Sequence, residues 1–398
     1  MHDWLVTCRD RRLHGVLAGL AVFVIALALR PADASAAPIL GIADSEADTF
    51  AHPDFNGLNV TRMRVIVPWD IAQRTDPRRQ RFDDWLTAFL QHRTSHPGST
   101  FSVGFNRATT DPQHPTRVGR APLEKGYKAA FRDFVAAYGQ HKHYMRIGPW
   151  NEPNFDPPGG KTDPRLPDGS FLYESDGGCE SANPTVNNCG PRLGAYYYRW
   201  AREVCGDCFL EAGNFAGTEA ADYLQEYKKH LGPVASGVGV WAVHNYSDFA
   251  AFQGPASDNS PDQLRNMLGE IFCTNTSNTG VAIGTNQCAA YGNTNTGGAL
   301  WVTATGALYS AECEKHPSLC SAGQEFRVFG EDSQCTAAAW MLRWSNIDTR
   351  IDRVYHFTYK DGNTNTPQNE DDTGLINRDG SVRKAYRVLR DRATACRF

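Results

Sequence analysis

Apolar positions along the chain follow two periods in turn. Short runs rich in Val, Ile and aromatic residues occur at PILGIAD (38–44), RMRVIVPW (62–69), TFSVGFN (100–106) and YMRIGPWNEP (144–153). Four more follow at FLEAGNF (209–215), GVWAVHNY (239–246), ALWVTATG (299–306) and RVYHFTYK (353–360). Each is bounded by turn residues, as buried strands are. Between them, apolar residues at helical spacing predict helices over 82–93, 127–139, 193–205, 220–231, 261–272, 336–345 and 382–390. Ser260 followed by Pro261 reads as an N-cap with proline at the first helical position. The first link, SEADTFAHPDF (45–55), has to be a short helix if the alternation is to hold throughout.

Eight strands alternating with helices predict an α/β chain folded as one closed (β/α)8 barrel. A doubly wound open sheet is the alternative, but no glycine-rich phosphate loop follows the first strand. There is no linker and no internal repeat, so 37–398 reads as a single domain. Segments 156–191, 307–330 and 361–381 follow strands four, seven and eight. They belong to the C-terminal face, where barrel sites are built. The Asn/Thr/Gly-rich segment 274–298 precedes strand seven and belongs to the opposite face.

The first 36 residues fall outside this pattern. Arg9, Asp10, Arg11 and Arg12 precede an apolar run from Val16 to Leu29, and Ala34-Ser35-Ala36 then offers a small-residue cleavage site. This is the pattern of a secretory leader, and its apolar core is short for a bilayer span. The expectation is a secreted chain from about Ala37, with no membrane segment after cleavage. Of eleven cysteines, Cys8 lies in the leader. The remaining even number in an exported chain points to disulfides. Sequence neighbours suggest Cys179–Cys189, Cys205–Cys208, Cys273–Cys288, Cys313–Cys320 and Cys335–Cys396, although spacing cannot fix the pairing. A metal site at Cys205-Gly-Asp-Cys208 lacks a second Cys/His pair at zinc spacing. A formal charge of −4 and a pI near 6.3 give no electrostatic case for nucleic acid. Nothing implies a metal or organic cofactor, and nothing supports oligomerisation, so a monomer is expected.

GPWNEPNF (148–155) ends the fourth strand and carries the chemistry. Proline after Glu152 stops the strand and leaves Asn151 and Glu152 at the barrel mouth. A glutamate there serves as a general acid if its pKa is raised toward neutrality. The stretch resembles the retaining (β/α)8-barrel glycoside hydrolases, the clan of cellulases, β-glycosidases and β-xylosidases. The resemblance implies that Glu152 is the acid/base and that Asn151 binds the 2-hydroxyl of the sugar being cleaved. It further implies an arginine on strand two, for which Arg64 fits better than Arg62. It implies His244 and Tyr246 at the end of strand six, with the tyrosine hydroxyl holding a nucleophilic carboxylate. An aromatic floor on strand eight would be Tyr355, Phe357 or Tyr359. The tail 372–390 also resembles the final turn and helix of the clan.

Strand seven departs from the pattern. WVTATG (301–306) keeps Trp301, Thr303 and Gly306, but Ala304 stands where the clan has its nucleophilic glutamate. A retaining enzyme needs two carboxyl groups about 5–5.5 Å apart, and a methyl group replaces neither. Other carboxylates within reach of an inverting mechanism are Asp44, Glu46, Asp248 and Glu312, with Glu314 in the same loop. Glu331 and Asp332 read as helix-terminal residues. Trp69 and Trp301 are the preferred sugar-stacking platforms; Trp150, Phe155 and Trp241 serve either as platforms or as core. The chain is therefore expected to bind a carbohydrate and to hydrolyse it poorly or not at all. The alternative is a carbohydrate-binding protein on a barrel scaffold that was never an enzyme.

Overall fold

The computed structural model describes residues 37–106, 122, 124–153, 189–216, 220–246, 248, 262–272, 298–306, 330–346, 348–360, 373–377 and 379–397. The expected leader, Ser260, Pro261, Phe155, Glu312, Glu314, Cys179 and the expected pairs Cys273–Cys288 and Cys313–Cys320 lie outside the described residues, as does most of the four long segments.

Strands β1 (Ile39–Ala43), β2 (Arg62–Pro68), β3 (Thr100–Asn106) and β4 (Met145–Gly148) precede β5 (Ala212–Ala216), β6 (Val240–His244), β7 (Ala299–Thr305) and β8 (Ile351–Phe357). They form one sheet in the order β4-β3-β2-β1-β8-β7-β6-β5, and every ladder is parallel. The remaining seam lies between β4 and β5. A parallel bridge joins Ile147 to Leu210 there, with Ile147 N donating to Phe209 O (3.0 Å) and Glu211 N to Ile147 O (2.8 Å). All eight expected strands form, and the result is a (β/α)8 barrel.

The helices are α1 (Pro77–Ser95), α2 (Glu124–Tyr138), α3 (Cys189–Val204), α4 (Ala220–Leu231), α5 (Asp262–Phe272), α6 (Glu331–Met341) and α7 (Lys384–Asp391). The α1 helix starts where Asp76 accepts from Arg78 N and proline takes the first position. The link 45–55 departs from expectation. It forms a 3-10 turn at Ala47–Ala51, followed by another at Asn56–Leu58, rather than an α-helix. His52-Pro53 interrupts any longer helix because the residue before proline is pushed out of the helical region. Phe50 nevertheless packs this segment against Trp85 and Phe89 of α1, Phe55 packs against His92 of the same helix, and Trp85 Nε1 donates to Asp44 O at 2.9 Å. Among the described residues no helix is long and apolar enough to cross a membrane.

The N-terminal end of the barrel is plugged by a stack. The guanidinium of Arg146 lies 4.3 Å over Phe209, Phe209 stacks on Trp301 at 5.7 Å, and Arg353 lies 3.8 Å over Trp301. Trp301 Nε1 donates to Asp352. Two of the expected disulfides are present, Cys205–Cys208 and Cys335–Cys396, with Cα separations of 5.4 and 5.5 Å. The second ties α6 to the C-terminal segment.

Candidate active site

Alternation along β2 sends Met63, Val65 and Val67 to the apolar core under the helices and Arg64 into the barrel. Arg64 is fully buried, and its Nη2 donates to Asn151 Oδ1 (2.6 Å) and Asn214 Oδ1 (3.3 Å). Gly104 on β3 makes this possible, since a Cβ there would stand 2.9 Å from Nη2. Arg62, the other strand-two candidate, bonds instead to Gly98 O and Thr61 at the start of the strand.

The end of β4 is pinned between its neighbours. Asn151 N donates to Phe105 O (2.6 Å), beyond the middle of β3, and Glu152 N donates to Asn214 O (2.9 Å) on β5. Glu152 has φ +49° and Asn214 φ +61°. Both are left-handed conformations that a side chain ordinarily avoids, and Glu152 adopts one directly before a proline. Such strain costs about 1–3 kcal/mol and persists only where surrounding bonds enforce it. Here the two strained residues share a backbone hydrogen bond.

Glu152 meets a histidine. His244 Nδ1 lies 2.5 Å from Glu152 Oε1; the histidine side chain is buried and the glutamate is 28% exposed. Burial raises the Glu152 pKa, but the charge and hydrogen bond of His244, with the charge of Arg64, hold it below the usual carboxylate range. Burial pushes the His244 imidazole below its ordinary value. Tyr246 stands two residues on, its ring 6.3 Å from that of His244 and close enough to Arg64 to act on its charge.

Ala304 is buried and is the β7 register partner of His244; its carbonyl accepts from Asn245 N. The register slips by one residue between Val302 and this position on the β6 side. It slips again on the β8 side, where Val302 pairs with Val354 but Thr305 with His356. A bulge in β7 thus breaks the simple alternation at Thr303-Ala304 and re-aims the side chains at the strand end. Thr303 Oγ1 donates to Asn214 Oδ1 (2.7 Å), and Thr305 Oγ1 to Asn245 O (2.9 Å). Gly306 has a packing reason of its own, because a Cβ would lie 2.6 Å from Phe357 O.

Asn151, Glu152, His244 and Ala304 therefore come together at the C-terminal ends of the strands, with Arg64 reaching Asn151 from within β2 and Tyr246 beside them. Two expected platforms do not join them. Trp301 belongs to the plug at the other end of the barrel, and Tyr359 is fully buried, its ring against Phe55 and its hydroxyl 2.9 Å from His52 Nδ1. Of the strand-eight aromatics, Tyr355 is also fully buried and Phe357 alone keeps partial exposure at the rim. Trp69 remains partly exposed just past β2. Trp150 and Trp241 are core residues, the first stacked on Tyr197 and the second edge-on to Tyr227.

The alternative carboxylates are largely engaged elsewhere. Asp248 is buried and accepts from Asn245 Nδ2 and from Leu264 N, a backbone donor in the first turn of α5. Asp44 accepts from Glu46 N and Tyr359 N, and burial pushes its pKa to about 6; Glu46 is exposed. Glu331 and Asp332 lie in the first turn of α6 and bond to Lys384. The sulfurs of Cys205 and Cys208 are bonded to each other, which removes them as metal ligands.

Two site residues escape a pattern-based reading. Asn214 is the extra residue of a bulge in β5, where the register slips between Gly213 and Phe215. Its amide oxygen receives both Arg64 and Thr303, so the bulged residues of β5 and β7 are joined directly. The signal available was Gly213 inside a strand pattern, which marks a bulge. Glu211 is fully buried at the start of the same strand segment.

Neither a family model nor a curated protein matches the chain. Solved structures do. A family 39 glycoside hydrolase from the gut symbiont Bacteroides cellulosilyticus WH2 matches with TM-score 0.50 and 16% identity, over 90% of this chain and 64% of its own. A β-glucuronidase from Ruminococcus gnavus in complex with D-glucuronic acid matches with TM-score 0.50 and 12% identity, over 89% of this chain and 49% of its own. The chain spans less than two thirds of the length of either. At these identities the likeness is one of fold: this is a (β/α)8 barrel of the architecture those glycoside hydrolases carry.

Proposed function

We propose that the chain is a secreted glycosidase-type barrel of the retaining two-carboxylate kind, with Glu152 as acid/base and Ala304 at the nucleophile position. The observation that carries this reading is the meeting of five expected residues from four strands: Arg64 on Asn151, and Glu152 on His244, the register partner of Ala304. With its Oδ1 given to Arg64, Asn151 keeps two amide N–H donors, the groups needed to hold a sugar hydroxyl.

In a retaining mechanism one carboxylate attacks the anomeric carbon while the other protonates the leaving oxygen. Ala304 has no group that attacks. Glu152, held below the usual carboxylate range, is also a poor proton donor near neutral pH. Without a second carboxylate nearby, the like-charge repulsion that would raise its pKa is missing. The chain thus binds a glycoside and turns it over slowly or not at all. Trp69 and Phe357 are the partly exposed rim aromatics suited to stack on a sugar face. The alternative, a carbohydrate-binding barrel of non-enzymatic origin, makes the same binding prediction and differs only in what repair achieves.

Azide or formate added with an activated aryl glycoside tests the site in the present chain. A small anion filling the space beside Ala304 attacks the anomeric carbon, the aryloxide departs, and a glycosyl adduct forms. Absence of any adduct, together with sugar binding that Glu152→Ala leaves unchanged, overturns the assignment.

A further inference from the structure

Beneath the candidate site lies a second polar layer that the reaction does not use. Gly104 on β3 and Gly148 on β4 are register partners. A Cβ on Gly104 would meet Arg64 Nη2 at 2.9 Å and stand 3.5 Å from Asn151 Oδ1. A Cβ on Gly148 would meet Asn214 Nδ2 at 2.8 Å and stand 3.7 Å from Glu211 Oε2. The paired glycines thus open one notch in the barrel wall, bordered by four polar side chains.

Two of those side chains are ionisable and fully buried, Arg64 and Glu211; burial pushes the Glu211 pKa up, and the charge of Arg64 pulls it back down. Arg64 Nε and Nη1 and Asn214 Nδ2 make no hydrogen bond to a described protein group, and the Glu211 carboxylate has the Ser102 hydroxyl as its hydrogen-bonding neighbour. Burying an ion without partners is too costly to leave uncompensated. Donors and acceptors gathered around one space of this kind are the setting in which internal water bridges polar groups. Glu211 is the foremost charge acting on Arg64, and Arg64 the foremost acting on Glu211. Glu211 precedes β5, below the level of Asn214, and is sealed from any ligand at the rim.

We propose that Glu211 is the counter-ion of Arg64, coupled to it through water held in the Gly104–Gly148 notch, and that it positions the Arg64 guanidinium for Asn151. In a chain that lacks the strand-seven carboxylate, Glu211 compensates the buried charge of Arg64 and keeps it aimed. The ion pair stands by itself, while its effect on turnover rests on the glycosidase reading.

A double-mutant cycle decides the pair. Glu211→Gln and Arg64→Met each lower the urea midpoint of the full chain, and the double variant loses clearly less than the two losses added. Strictly additive losses overturn the pair. Should Arg64→Met not fold, Arg64→Lys takes its place in the cycle. The positioning effect is read in an Ala304→Glu background with aryl glycosides: adding Glu211→Gln lowers kcat about tenfold or more while KM stays within about threefold. An unchanged kcat overturns the positioning effect even where the cycle shows coupling. If Ala304→Glu is itself inactive, the glycosidase reading has failed, and the cycle still decides the ion pair.

Discussion

His244 Nδ1 lies 2.5 Å from Glu152 Oε1, and His244 is at the same time the register partner of Ala304. One residue on β6 therefore touches the proposed acid/base and flanks Ala304, the proposed nucleophile position. Burial pulls the Glu152 pKa up, and His244, with Arg64, pulls it down further. Replacing His244 by Phe removes the stronger opposing partner, so the Glu152 titration midpoint is expected to move upward. Carboxyl 13C NMR of glutamate-labelled protein, assigned with Glu152→Gln, reads this directly. A midpoint that stays put or falls contradicts the pairing.

Gly306 sits where β7 and β8 close together. A Cβ there would lie 2.6 Å from Phe357 O and 3.1 Å from Thr373 Cβ. Gly306→Ala forces backbone apart and is expected to cost about 1–3 kcal/mol, read as a lower urea midpoint. An unchanged midpoint shows that the strand end yields freely.

Trp301 is a structural plug. Its ring lies between Phe209 and Arg353, at the opposite end of the barrel from Glu152. Trp301→Ala is expected to cost about 3–5 kcal/mol, whereas Trp301→Phe keeps a ring in the stack. Carbohydrate affinity of Trp301→Phe, measured by calorimetry, should equal that of the parent chain. A large loss of affinity with an intact fold would return Trp301 to the sugar site.

Burial lowers the His356 pKa from 6.5 to about 4, with its Nε2 held 2.8 Å from Thr373 O. A histidine with a depressed folded pKa binds its proton more readily when unfolded. Its contribution is therefore present above about pH 6.5 and is lost as pH falls toward 4. Asp44 works in the opposite direction, because its pKa is raised to about 6 and its proton favours the folded state below that pH. His356→Gln should leave the Asp44 effect alone and reduce the loss of stability between pH 7 and pH 5 by about 2 kcal/mol. Urea titrations at the two pH values test this, and an equal loss in both proteins contradicts it.

The barrel is legible in the sequence because short Val/Ile-rich runs and amphipathic helices differ in period, and each of the eight runs does form a strand. The link at 45–55 is not, since His52-Pro53 and Gly57 break the helical region into 3-10 turns held by packing on α1 and by Tyr359 and Tyr386. The places of Arg64, Asn151, Glu152, His244 and Ala304 are legible through the resemblance of the strand-two, strand-four, strand-six and strand-seven stretches to the barrel glycoside hydrolases, with Arg64 inside β2 and the others at or near strand ends. Trp301 and Tyr359 lie near those motifs in the chain but not in space. Trp301 is three residues upstream of Ala304, hence low in the barrel. Tyr359 lies past the end of β8, where the chain turns outward onto His52 and Phe55. Asn214 and Glu211 depend on a bulge and on a glycine pair between two strands, neither of which any hydrophobic period encodes.

The most direct measurement is the hydrolysis of a panel of aryl glycosides by the Ala304→Glu variant beside the parent chain. Restoring a carboxylate opposite Glu152 supplies the attacking group and, by like-charge repulsion, raises the Glu152 pKa toward that of a working acid. The expected result is a gain on the order of 10³-fold or more in kcat/KM on at least one glycoside. That gain should be lost again on adding Glu152→Gln. A folded variant that binds a glycoside yet hydrolyses none of the panel would contradict the glycosidase reading and leave a carbohydrate-binding barrel.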